Sequence, residues 1–126
     1  MARPVHFEIH ASDLKAAADF YSNLFGWKLD QYGDYPYLLV DSGEGPGING
    51  AIMQRQGPAP AEDAAVTGAT IIMSVDDIDA STLLGLELGG SAPTPKQAVP
   101  GIGWSAYLKD PDGNLFGLFQ DDTEAK

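Results

Sequence analysis

The chain contains no cysteine among its 126 residues. It can therefore form no disulfide and perform no thiolate chemistry, which agrees with a reducing compartment, and we expect the protein in the cytoplasm. Only serine, threonine or lysine remains as a nucleophile. None of them stands in a recognisable catalytic setting, since the sequence lacks a Gly-x-Ser-x-Gly motif.

Basic residues and long apolar runs are also scarce. Lys and Arg number 7 against 18 Asp and Glu, which gives a net charge of −11. Such a chain should repel phosphate backbones and anionic membrane surfaces, so we expect neither nucleic acid nor a membrane as a partner. No segment approaches the roughly 20 apolar residues of a membrane helix, and the N-terminus (MARPVHFE) lacks the apolar region of a secretory signal. The acidic surface would attract a cationic ligand, or it simply keeps the protein soluble.

What the chain does have is an internal repeat. Shifted by 64 positions, HFEIHASDLKAAADFYSNLFG (6–26) aligns with TIIMSVDDIDASTLLGLELGG (70–90), and further on AIMQ (51–54) aligns with GLFQ (117–120). Two copies are too few for a solenoid. At this length we predict a single domain, 1–126, made of two modules at about 4–54 and 68–120. A linker with two prolines lies at about 56–68.

Hydrophobic periodicity predicts the same order of elements, βαβββ, in both modules. In the first, Asp13 caps a helix over 14–25 that ends at Gly26, and strands cover 5–11, 27–29, 37–41 and 50–54. In the second, Asp77 caps a helix over 78–88, and strands cover 70–75, 91–94, 104–109 and 114–120. We expect an α+β fold with eight strands in a curved sheet and both helices on one side, which leaves the opposite face open.

Three segments carry a resemblance to a known family. They are HFEIHASDLKAAADFYSNLFGWKL (6–29), GINGAIMQR (47–55) and GWSAYLKDPDGNLFGLFQ (103–120). Over residues 4–120 the chain resembles the vicinal oxygen chelate (VOC) superfamily, and within it the lactoylglutathione lyase-related, or glyoxalase/bleomycin resistance protein, group. The resemblance implies paired βαβββ modules that form a U-shaped cup with the helices on its convex side, often in a homodimer. Apolar residues such as Met53 and Phe116, predicted at the surface, also favour a homodimer.

The resemblance also implies four positions for metal ligands, on the first and last strands of each module. They fall on His6, Thr70, about Ala51 and Gly117. Only His6 can ligate a metal well, so we expect no cofactor in the usual four-ligand site. The alternative is a divalent metal in a displaced site of His6, Glu8 and water.

Strand alternation selects the candidate ligand-binding residues. His6, Glu8 and His10 are spaced by two and share the strand face that the resemblance makes the inside of the cup. The repeat places Thr70 opposite His6, and Phe119 shares a face with Gly117. Glu8 could act as the acidic partner of His6 and fix its tautomer, or these groups form a hydrogen-bonded lining of a polar cleft.

We therefore predict a VOC protein that binds a small organic molecule in its cup, with no catalytic residue assigned. One alternative is a metal-dependent lyase, isomerase or dioxygenase of the same superfamily. The other is a non-catalytic protein that sequesters a drug, as in the bleomycin resistance-like members. The sequence does not name the ligand.

Overall fold

The structure is a computed structural model that describes all of residues 1–126. The chain divides into two compact units, residues 1–59 and residues 60–126. Each unit holds one helix and four strands in the order βαβββ. The elements are β1 (Phe7–Ala11), α1 (Leu14–Phe25), β2 (Lys28–Gln31), β3 (Tyr37–Asp41), β4 (Gly50–Gln54), β5 (Ile71–Ser74), α2 (Ile78–Glu87), β6 (Gln97–Val99), β7 (Gly103–Lys109) and β8 (Leu115–Asp121).

The eight strands form two four-stranded sheets, one in each unit. The strand order is β1-β4-β3-β2 in the first sheet and β5-β8-β7-β6 in the second. In both sheets the first strand of the unit pairs in parallel with the last one, and the other pairs are antiparallel. The predicted α+β class and the paired βαβββ order are confirmed.

One predicted strand is wrong. The sequence favoured a strand over 91–94, but the strand of this region is β6, at Gln97–Val99. Ser91 forms only an isolated bridge with Lys109. The physical reason is that Pro93 and Pro95 have no backbone N–H to donate to a ladder.

The helix of the first unit begins and ends as its sequence predicts. The Asp13 side chain accepts a hydrogen bond from the backbone N–H of Ala16 at 3.0 Å, and Gly26 ends the helix with φ of 73°. Glycine suits this left-handed conformation because it has no Cβ. One face of α1 is buried, and Tyr21 on that face stacks on Trp27, with 5.3 Å between the ring centroids.

The repeat aligns Gln54 with Gln120, and each of these side chains forms a hydrogen bond to the backbone at the start of the helix in its own unit. Gln54 Nε2 donates to the carbonyl oxygen of Ser12 at 2.9 Å, and Gln120 Oε1 accepts from the backbone N–H of Ile78 at 2.8 Å. Each glutamine thus ties the last strand of its unit to the start of the helix. This equivalence is independent support for the internal repeat.

The core of the second unit lies between α2 and the sheet. Ile78, Leu108 and Leu118 are at most 1% exposed, and Phe116 is 3% exposed. The expectation that Phe116 lies at the surface is therefore wrong. It alternates with Gly117 along β8, so its ring points to the side of the buried residues Leu108 and Leu118.

No helix of the structure is long and apolar enough to cross a membrane.

Candidate functional site

Strand β1 exposes only one of its two faces. Ile9 and Ala11, which face the core of the unit, are 7% and 0% exposed. Glu8 and His10 point the other way and are exposed, as is His6 just before the strand. The polar side chains of this segment are therefore free of the core and accessible to a ligand.

A tyrosine connects two of these polar side chains. Tyr37 opens β3, and the register through Met53 of β4 places it in the same row as His10. Its hydroxyl donates a hydrogen bond of 2.7 Å to Glu8 Oε2, and its oxygen lies 2.8 Å from His6 Nε2. The His6 and Tyr37 rings are nearly parallel, with an angle of 8° between them. His6, Tyr37 and Glu8 form one hydrogen-bonded chain on the exposed face, which we call the polar relay.

The polar relay does not join His6 and Glu8 directly. Tyr37 stands between them, so Glu8 reaches His6 only through the phenol oxygen. The sequence marked Tyr37 as the start of a strand but not as part of the site. The sequence could not assign Tyr37 to the site, because the alternation of residues along one strand does not tell which other strand lies beside it.

The relay changes the acidity of the phenol. The hydrogen bond to Glu8, together with partial burial and the negative charge of that carboxylate, raises the pKa of Tyr37 from 10.0 to about 12. A carboxylate next to a phenol disfavours the phenolate because two negative charges would then lie side by side. Tyr37 is therefore a hydrogen-bond donor at all physiological pH values.

Two further tyrosines extend this surface at the hairpin between β2 and β3. Tyr32 and Tyr35 are 54% and 64% exposed. Their rings stack with 5.7 Å between centroids, and the Tyr32 ring meets the Tyr37 ring edge-on at 6.0 Å. Exposed rings beside a few polar groups are typical of surfaces that bind small organic ligands.

In the second unit, Thr70 and Phe119 lie on one side of the sheet. Ile72 pairs with Gly117, which pairs with Tyr107, and these three residues form one row across the sheet. Thr70 and Phe119 are each two residues from that row, so they share its face. Ile72 is 48% exposed and Tyr107 is 39% exposed. This face thus presents apolar side chains together with the hydroxyls of Thr70 and Tyr107.

The small residues predicted at two metal-ligand positions lie at matching places in the two sheets. Ala51 is the partner of Glu8, and Gly117 is the partner of Ile72, which the 64-residue shift aligns with Glu8. The space that a Cβ of Gly117 would need is taken by the Ile72 side chain, with Tyr107 at 3.4 Å. Gly117 therefore accommodates a neighbouring side chain and does not enlarge a cavity.

The donor set at the four positions does not fit the metal site of the family. Alanine and glycine offer no side-chain ligand, and Thr70 offers only a neutral hydroxyl. His6 Nε2 is already within hydrogen-bond distance of the Tyr37 hydroxyl. No group of three or more His, Cys, Asp or Glu side chains lies close enough together to hold a metal ion.

A separate depression lies on the helix side of the second sheet. It has a volume of about 380 Å³ and is lined by Asp79, Thr82, Ala92, Pro93, Thr94, Pro95, Lys96, Ala106 and Leu108. Lys96 at its edge pairs with Asp79 at 3.0 Å and lies 4.6 Å from the centre of the Trp104 ring. None of the five residues predicted to bind a ligand lines it.

Comparisons with known proteins agree with this geometry. The model of the glyoxalase/bleomycin resistance protein/dioxygenase superfamily matches residues 3–118. A protein of Vibrio cholerae serotype O1 named "Probable lactoylglutathione lyase" is 30% identical over 125 residues, which cover 94% of this chain and 90% of that protein. The anthracycline biosynthesis protein DnrV of Streptomyces peucetius is 28% identical over 129 residues, which cover 93% of this chain but only 46% of DnrV. The chain thus spans about half the length of DnrV and of several other curated relatives that it matches.

Among solved structures, a glyoxalase/bleomycin resistance protein/dioxygenase family enzyme from Burkholderia phytofirmans PsJN has the same fold. Its TM-score is 0.74 at 15% identity, over 93% of this chain and 97% of that one. At this identity the likeness concerns the fold and not the chemistry.

Proposed function

Because the chain belongs to the glyoxalase/bleomycin resistance protein/dioxygenase superfamily, we propose that it binds a small organic molecule at the exposed face of β1 and β3. His6, Glu8 and His10 are the proposed contacts in the first unit. Thr70 and Phe119, which lie on one face of the second sheet, are the proposed contacts in the second unit. The observation that carries this proposal is the polar relay, which occupies an exposed face and plays no part in the core.

Two properties of the relay support a binding role. It places a carboxylate, a phenol and an imidazole within hydrogen-bond distance of one another at the surface. Ordering three such side chains on an exposed face costs conformational entropy. The neighbouring tyrosine rings supply the apolar contact that a small ligand needs beside its polar groups.

A second candidate is a lyase like the one for which the Vibrio relative is named. Superfamily membership favours an enzyme, and a metal would supply Lewis-acid chemistry there. The residues at the four family positions do not fit a metal, so we derive no catalytic step through one. A ligand held without turnover, as in a drug-sequestering protein, is the remaining possibility and uses the same face.

A thermal-shift screen of small organic molecules tests the proposal. A charged compound that raises the melting temperature of the wild type should bind His6→Ala about 10- to 100-fold more weakly, because a hydrogen bond that involves a charged group contributes about 1.5–3 kcal/mol. The matched control is Lys15→Ala, on the exposed surface of α1, where the side chain is 85% exposed. The control should bind like the wild type. Equal binding by wild type and His6→Ala for every active compound would refute the assigned site.

We also propose that the chain forms a homodimer and works in the cytoplasm. The dimer rests on the family likeness and on apolar side chains such as Leu39 and Ile72, which are 38% and 48% exposed. Sedimentation at micromolar concentration should give twice the chain mass of 13.3 kDa. A mass equal to one chain would refute the dimer.

A further inference from the structure

In the polar relay, the chemistry of Tyr37 and Glu8 fixes which group donates and which accepts each hydrogen bond. A phenol has a single proton, and an ionised carboxylate can only accept hydrogen bonds. The contact of 2.7 Å between the Tyr37 hydroxyl and Glu8 Oε2 therefore uses the only proton that Tyr37 can donate. Toward His6, the Tyr37 oxygen can then act only as an acceptor.

This direction decides which nitrogen of His6 carries the proton. His6 Nε2 lies 2.8 Å from the Tyr37 oxygen, so Nε2 must donate and must bear hydrogen. A neutral imidazole has one N–H and one acceptor nitrogen, so the lone pair is then on Nδ1. No group of the chain forms a hydrogen bond with Nδ1, and the His6 side chain is exposed.

We propose that Tyr37 and Glu8 are positioning residues that hold neutral His6 in its Nε2–H form and leave Nδ1 as an open hydrogen-bond acceptor. This tautomer also restricts the chemistry of the ligand, an inference that rests on the proposed function. The group that meets His6 must donate a hydrogen bond, as a hydroxyl, an N–H or an ammonium group does. A carboxylate or a phosphonate offers no proton and would also be repelled by Glu8.

The tautomer can be measured on the free protein by ¹⁵N NMR of the imidazoles. The chain has only two histidines, and His6→Ala assigns their signals. The pH is raised until the imidazole shifts no longer change, so that the neutral form alone is observed. The ratio of Nε2–H to Nδ1–H in His6 should exceed that of a short histidine peptide by about five- to tenfold, since one net hydrogen bond changes an equilibrium by roughly that factor.

Two variants separate positioning from general structure. Tyr37→Phe removes the hydroxyl and should return the His6 ratio to that of the peptide. Tyr35→Phe removes the hydroxyl of a neighbouring tyrosine that is 64% exposed, and it should leave the ratio unchanged. Backbone amide spectra report whether either variant alters the fold. An unchanged His6 ratio in folded Tyr37→Phe, or a wild-type ratio equal to that of the peptide, overturns the proposal.

The ligand class is tested with two probes of similar shape, benzylammonium and benzoate. Benzylammonium should shift the Nδ1 signal of wild-type His6, and benzoate should not. A shift caused by benzoate overturns the ligand class. If neither probe shifts Nδ1 at millimolar concentration, both the ligand class and the proposed binding at this face are overturned, and the tautomer result still stands on its own.

Discussion

Replacing Glu8 by Gln should lower the pKa of Tyr37 from about 12 toward its ordinary value of 10.0. Glutamine keeps an acceptor oxygen but removes the negative charge that opposes the phenolate. At about pH 11, a phenol of pKa about 12 is roughly one-tenth ionised and one of pKa about 10 is roughly nine-tenths ionised. The change in ionised fraction is therefore large enough to measure at a single pH.

The assay is an NMR titration with tyrosine labelled at Cζ. The chain has five tyrosines, and Tyr37→Phe identifies the signal of Tyr37 by its loss. The control is Tyr35→Phe, in which the pKa of Tyr37 should remain raised, as in the wild type. If Tyr37 titrates at the same pH in wild type and Glu8→Gln, the negative charge of Glu8 is not the cause of the raised pKa.

The same shift has a consequence for stability. Because the pKa of Tyr37 is raised in the folded state, its contribution to the free energy of unfolding is fully present below about pH 10 and is lost as the pH rises through about 12. A hundredfold change in ionisation constant sets an upper bound of about 2.7 kcal/mol. Screening by solvent at this partly exposed site should reduce the measured value to about 1 kcal/mol. Urea denaturation of wild type and Glu8→Gln at several pH values measures it.

Three further predictions concern the fold and the metal. A methyl group at Gly50 would lie 2.5 Å from the carbonyl oxygen of Phe7, so Gly50→Ala should lower the free energy of unfolding by about 3 kcal/mol. Gly117→Ala should cost less than about 1 kcal/mol, because only the end of a flexible side chain must move; equal losses in the two variants would contradict this reasoning. Asp13→Ala removes a helix cap and should cost about 1 kcal/mol in urea denaturation, and a loss below about 0.3 kcal/mol would show that the cap is replaced by water. Protein purified without chelator should carry no stoichiometric nickel, zinc, manganese or iron, and metal that is lost on His6→Ala would show that a displaced site exists.

Local sequence signals were sufficient for most of the helices and strands. Both helices begin after the capping aspartates that the sequence indicates, because a cap is an interaction between residues three apart. The wrong prediction of a strand over 91–94 has a local cause as well, because Pro93 within this segment and Pro95 just after it disfavour a strand. Phe116 alternates with Gly117 along β8, so strand periodicity alone places its ring on the buried face.

The sequence by itself determined the repeat, the βαβββ order and the side of β1 on which His6, Glu8 and His10 lie, because these depend on spacing along the chain. Only the tertiary structure decided that Tyr37 joins His6 to Glu8. These hydrogen bonds span 31 and 29 residues, and they exist because β4 lies between β1 and β3 in one register. A register between strands far apart in the chain depends on tertiary packing, which no single segment of the sequence contains.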